Sequence, residues 1–217
     1  MHSSLTESFP GGWASSSAGH EPAGRGREGE MPSVAVLAWD SLPMAEGALP
    51  FPRSGWREGG PELPVEIAHL TPDLVLIAVL CRGATIFPVI WCVLETASAA
   101  EAVWALARVY GARPEDIGYV DLEGGGSWCR TVDEKVPEIR KWAESLPPGE
   151  GRPDLVIWND LRPNFSRKTR MELTGENLLR FALRLPEEKR SRLISYLRDM
   201  PACIDTPLRR ELLEKLG

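Results

Sequence analysis

The run Ser-Val-Ala-Val-Leu-Ala-Trp-Asp-Ser-Leu, residues 33–42, decides how the chain is read. Val34 through Trp39 is apolar without alternation, the pattern of a short strand covered on both faces. Asp40 and Ser41 then break it. A strand that stops in a small polar loop turns backbone N–H groups and a hydroxyl into the space above its sheet, and such loops commonly hold anionic groups. Two readings stand on the residues alone: an ordinary strand end, or a binding loop.

Outward from this strand the pattern stays β-rich. Leu63–Leu70, Leu74–Leu80 and Ile86–Leu94 are rich in Val, Ile and Leu, and Thr71-Pro72-Asp73 makes a hairpin of the first two. Apolar residues at both parities make the second a central strand. Glu66 shares a strand face with Ala68 and Leu70, which leaves it as either a solvated edge carboxylate or a catalytic one. His69 stands without a neighbouring His or Cys that would make it a metal ligand. Pro43–Glu62, with four prolines and a glycine-rich end, is a long irregular excursion. Its Trp56 and Arg57 either cover a ligand or plug the loop onto the sheet.

Thr96–Gly111 reads as a helix, capped by Ser98 with Glu101 in a capping box and closed by Gly111. Ala99, Val103, Leu106 and Tyr110 form its inward stripe, so Tyr110 points in at the C-terminal end. A short strand, Ile117–Val120, leads to Gly124–Gly126, which lacks both dinucleotide and P-loop spacing and is a turn, with Glu123 the carboxylate at its lip. Thr131–Ser145 is amphipathic, with Val132, Val136, Ile139 and Ala143 inward. Asp154–Asn159 is the last strand, and Asn159 and Asn164 in the following turn either meet a polar ligand or cap chain ends. From about residue 174 the chain is helical, opened by Thr174, Pro186 and Thr206-Pro207.

Composition bounds the function. The 217 residues are 43% hydrophobic and 26% charged, enough for a substantial core. A formal charge of −6 argues against nucleic acid as a partner. No run of about 18 uncharged apolar residues exists to span a membrane. Cys81, Cys92, Cys129 and Cys203 show no paired spacing and read as reduced thiols of a cytoplasmic protein. Residues 1–31, rich in Ser, Gly, Pro and charge, are expected to be a disordered extension of a single domain over 32–217.

The run LAWDSL resembles the Tyr-Gly-Ser-Leu strand end of the gamma-glutamylcyclotransferase-like fold, particularly a bacterial subgroup, with Asp40 standing where that family has Gly. The strand ending at Leu94, the helix and then Tyr110-Gly111 are similar to the part of the fold where a helix closes in Glu-Gly, so Tyr110 stands at the family's acid/base glutamate. Trp158–Phe165 and Asp205–Arg210 are similar to two further stretches of the subgroup. The resemblance spans roughly Ser33 to Gly217.

It implies an α+β fold: a curved, mostly antiparallel sheet or small barrel, a closing helix and a C-terminal helical layer. It implies cleavage of a gamma-glutamyl amide by intramolecular attack, giving 5-oxoproline and an amine, with no cofactor and no metal. Asp40, Tyr110 and Glu66 are then the candidate catalytic residues, and Trp39, Ser41, Leu42 and Trp56 the candidate substrate contacts. A tyrosine of ordinary pKa near 10 is about three units too weak a base at neutral pH, worth about 4 kcal/mol, so Tyr110 alone does not replace a glutamate. Asp40 supplies the carboxylate if it faces the pocket and is desolvated. The alternative is a catalytically inactive module on the same fold, binding a small ligand or an unknown protein. Acyl transfer through Ser41 or a cysteine lacks a convincing histidine.

Overall fold

A computed structural model describes residues 32–44, 47, 49, 54–96, 98–147 and 152–217. The expected extension, residues 1–31, lies outside the described residues, as does part of the excursion after Leu42. The strands are β1 (Val34–Ala38), β2 (Glu62–Leu70), β3 (Leu76–Leu80), β4 (Ile86–Pro88), β5 (Ile90–Leu94), β6 (Ile117–Asp121), β7 (Ser127–Trp128) and β8 (Leu155–Asn159). The helices are α1 (Ala99–Val109), α2 (Val136–Ser145), α3 (Phe165–Thr169), α4 (Gly175–Leu183), α5 (Glu187–Asp199) and α6 (Pro207–Leu216).

The architecture is α+β with two sheets, and it is not a closed barrel. A five-stranded sheet runs β5-β1-β8-β6-β7, and a three-stranded one runs β3-β2-β4. The physical reason lies at Val89. Its N–H donates to Pro61 O and its carbonyl accepts from Gly60 N, so the β4–β5 stretch turns a corner and passes from the small sheet to the large one. Ile86–Leu94, expected as one strand, is therefore two. Pairing is antiparallel except between β1 and β8, which run parallel with Val36 opposite Ile157.

All five residues of β1 are buried, as an apolar run without alternation requires. Val34, Val36 and Ala38 join Ile90, Cys92, Leu94, Leu155 and Ile157 beneath Ala102, Val103 and Leu106 of α1. Ala35, Leu37 and Trp39 face the other way, into a core shared with β2, β3, α2 and the C-terminal helices. The α1 cap is the one read from sequence: Ser98 Oγ accepts from Glu101 N at 3.1 Å. Thr174 and Thr206 likewise accept from Asn177 N and Arg209 N. The third strand starts at Leu76 rather than Leu74, because Leu74 sits in the turn at φ 66°. Two elements carry too few residues to show a period, the two-residue β7 and the five-residue α3.

Among the described residues of the excursion before β2, Trp56 and Arg57 pack onto the large sheet. Arg57 bridges to Trp91 of β5 through both backbone groups (2.8 and 2.9 Å), and its guanidinium lies 5.2 Å from the centre of the Trp91 ring. Trp56, half-buried, packs on the α1 side of the large sheet. Among the described residues no helix is long and apolar enough to cross a membrane.

Candidate functional site

A cleft of about 460 Å³ opens at the C-terminal end of β1. Three segments and one more helix build its walls. The loop after β1 contributes Asp40, Ser41 and Leu42, and the β2–β3 turn contributes Thr71, Pro72 and Asp73. The end of α1 contributes Val109, Tyr110 and Gly111, and α5 contributes Tyr196, with Val75 and Ile77 between them.

Each wall is fixed by local chemistry. Asp40 Oδ1 accepts from Leu42 N at 3.0 Å, the side-chain turn that aspartate makes after a strand, and Met44 N donates to Ser41 O to continue it as one helical turn. Thr71 closes the hairpin in the same way, its Oγ1 accepting from Val75 N at 3.0 Å. Gly111 takes φ 58° to end α1, a conformation glycine adopts without steric cost. Tyr196 Oη accepts from Ala78 N at 2.7 Å, so α5 supplies the acceptor that the outer edge of β3 lacks.

Asp40 and Tyr110 meet in the cleft wall. The Tyr110 hydroxyl donates to Asp40 Oδ2 at 2.7 Å. Asp40 is 2% exposed. Burial pushes its carboxyl above the ordinary value, while the Tyr110 hydroxyl and the Leu42 N–H pull it part of the way back. Burial and the neighbouring carboxylate hold Tyr110 well above the ordinary tyrosine value, so its proton stays on. The Asn159 side chain acts weakly in the opposite direction on the Tyr110 proton. Asn159 is 1% exposed, its Oδ1 accepts from Leu161 N at 3.0 Å, and its buried Nδ2 has no hydrogen-bond partner.

The remaining sequence candidates divide between this cleft and the interior. Ser41 and Leu42 line the cleft. Trp39 is buried behind it, its indole N–H donating to Ala78 O at 3.1 Å, and so ties β1 to β3. Trp56 lies apart, in the packing described above. Glu66 is neither a solvated edge carboxylate nor a cleft residue. It is 8% exposed, beneath the N-terminus of α6, where Oε1 accepts from Thr206 Oγ1 (2.6 Å) and Ile67 N (2.8 Å). The helix end satisfies the carboxylate that the strand buries. Glu123 is exposed, in the turn that Asp121 closes by accepting from Glu123 N and Gly124 N.

Other polar clusters are committed to structure. Asn164 caps the end of β2, accepting from Leu70 N and donating to Leu70 O. His69 meets Arg162 O and the Asn164 carboxamide. Fully buried Asp160 accepts from Arg130 N, Thr131 Oγ1 and the Cys129 thiol. Burial and the Asp160 charge push the Cys129 thiol up to about 11, and burial pushes Cys92 up to about 12, so neither is a nucleophile at neutral pH. No group of three or more potential ligands for a metal ion forms among the described residues.

Sequence reasoning missed Thr71, Asp73 and Tyr196 as cleft residues. Tyr196 did carry a signal, standing three residues after Leu193 on the buried side of α5. Thr71 and Asp73 carried only the mark of a turn.

No family model matches the chain, and no curated protein matches it. Among solved structures, the crystal structure of a yeast gamma-glutamyl cyclotransferase specific to glutathione is similar at 14% identity and a TM-score of 0.39, covering 85% of this chain and 97% of that one.

Proposed function

We propose that the chain is a diverged gamma-glutamylcyclotransferase-like enzyme whose cleft cyclises a gamma-glutamyl amide to 5-oxoproline and an amine. The observation that carries the reading is the Tyr110–Asp40 hydrogen bond in the cleft wall, which pairs a desolvated carboxyl with a hydroxyl. In the reaction the α-amine attacks the γ-carbonyl carbon, the C–N bond of the amide breaks, and one proton passes from the attacking nitrogen to the departing one. Asp40, made more basic by burial, is the acceptor. Tyr110 is the relay: its oxygen takes the amine proton as its own proton moves to Asp40 Oδ2, and the reverse transfer protonates the leaving nitrogen. Ser41 and Leu42 meet the substrate, and Trp39 holds their loop through Ala78.

The test is mass-spectrometric detection of 5-oxoproline after incubation with gamma-glutamyl amines, gamma-glutamyl dipeptides and glutathione. Product that disappears in Asp40→Asn and falls steeply in Tyr110→Phe supports the assignment. Absence of product from every substrate sinks it.

A second reading, a ligand-binding module without turnover, is favoured by a different feature of the same residues. Both Asp40 oxygens already accept a hydrogen bond, and Oδ1 occupies the N–H of Leu42, a donor that the loop would otherwise offer to an anion. In this reading Asp40 is an internal anion that closes the loop. It predicts ligand binding without 5-oxoproline.

A further inference from the structure

The geometry points to an organic ammonium group on an apolar chain as the ligand of the cleft at the end of β1. This goes beyond the reading above and is independent of turnover: of the two charged groups that a gamma-glutamyl substrate carries, it assigns the ammonium, not the carboxylate, to this lining. Three independent features of the walls agree.

The first is charge. Among the lining residues are two carboxylates, Asp40 and Asp73, and no Lys, Arg or His. Lys189, at the turn, donates to the Asp73 carbonyl at 2.9 Å and does not line the cleft. A carboxylate ligand would meet like charge with no cationic side chain to pair with it, whereas an ammonium meets complementary charge.

The second is the helix end. Val109, Tyr110 and Gly111 are the C-terminus of the eleven-residue α1, where the helix dipole is negative and favours cations. Arg108, in the same last turn, is exposed and is not a lining residue. The third is the apolar and aromatic surface. Leu42, Val75, Ile77 and Val109 suit a hydrocarbon chain, and Tyr110 and Tyr196 add two phenol rings, surfaces that attract ammonium groups. The cleft's 460 Å³ is ample for an alkylammonium of six carbons.

Calorimetric titration with n-hexylammonium, 1-hexanol and hexanoate, which share the chain and differ in the head group, tests the assignment. Hexylammonium is expected to bind about tenfold more tightly than hexanol, with hexanoate weakest, and its affinity to fall with added salt. Exposed Asp73 and half-buried Lys189 give variants outside the core: Asp73→Asn is expected to weaken hexylammonium about threefold to tenfold and Lys189→Gln to strengthen it, with hexanol unaffected by either. A parallel titration with Nα-acetyl-lysine methylamide separates the two sources of this chemistry. Tighter binding than hexylammonium identifies a lysine side chain, and weaker binding a free amine. Hexanoate binding as tightly as hexylammonium, indifference to both salt and Asp73→Asn, or no hexylammonium binding overturns the assignment. None of these readouts needs 5-oxoproline to form, so their failure is distinct from failure of the cyclisation.

Discussion

Tyr110 and Asp40, 70 positions apart in sequence, share a 2.7 Å hydrogen bond that joins the C-terminal end of α1 to the loop after β1. The donor is a phenol held well above its ordinary pKa and the acceptor a carboxyl held above 3.8, both displaced chiefly by burial. Removing Asp40's charge therefore has a pH-dependent consequence. A carboxyl with a raised folded-state pKa binds its proton more tightly in the native state, so its contribution to stability is greatest below 3.8 and falls as pH rises through the folded value. Asp40→Asn is expected to gain stability relative to the native chain between pH 4 and pH 8, read from the midpoint of thermal unfolding at each pH. A difference that shrinks or reverses with rising pH would contradict the assigned burial.

Thr206 serves α6 twice. It caps the helix by accepting from Arg209 N at 3.1 Å, and its hydroxyl donates to buried Glu66 at 2.6 Å. Thr206→Val keeps the shape and removes both bonds, leaving a buried carboxylate short of a donor. The expected cost is about 2–4 kcal/mol in urea denaturation, more than a cap alone would explain. Combining it with Glu66→Leu should recover part of that loss, since the unpaired carboxylate goes as well.

Arg209 is 8% exposed and donates to Leu197, Met200, Pro201 and Ile204 carbonyls, holding the end of α5 and the connection to α6. A lysine has one nitrogen and no planar fork. Arg209→Lys is expected to destabilise by about 2 kcal/mol or more, measured by chemical denaturation, because several buried carbonyls lose their donor. Arg210, its neighbour, pairs with Asp205 at the surface, and Arg210→Lys is expected to leave the denaturation midpoint unchanged.

Gly118 of β6 lies directly against Trp158 of β8. A methyl group added at Gly118 would come within 2.3 Å of the indole, although Gly118 has no unusual backbone conformation. Gly118→Ala is expected to cost about 1–3 kcal/mol by overpacking, and Gly118→Val more, with near-ultraviolet circular dichroism reporting the displaced indole. Equal stability of Gly118→Ala and the native chain would contradict the close approach.

Much of the local structure is legible in the sequence. The buried strand at Val34–Ala38, the Ser98, Thr174 and Thr206 caps and the inward stripe of α1 each depend on residues within a few positions of one another, and spacing reports such relations directly. The inward direction of Tyr110 came from the same periodicity. The break at Val89 was not legible, since an apolar run reads alike whether it stays in one sheet or turns between two.

The sequence by itself determined most of the longer strands and helices, the caps that begin α1, α4 and α6, and that Asp40 and Ser41 end a buried strand, but it started α2 at Thr131 where the helix begins at Val136. Only the tertiary structure decided that β1 pairs in parallel with β8, that Glu66 accepts from Thr206 beneath α6, and that Thr71, Asp73 and Tyr196 meet Asp40 and Tyr110 around one cleft. The physical reason is range. Capping and periodicity are set by backbone geometry over a turn or a pleat, whereas a buried carboxylate or a cleft wall is completed by partners from distant elements. For Glu66 that partner stands 140 positions away.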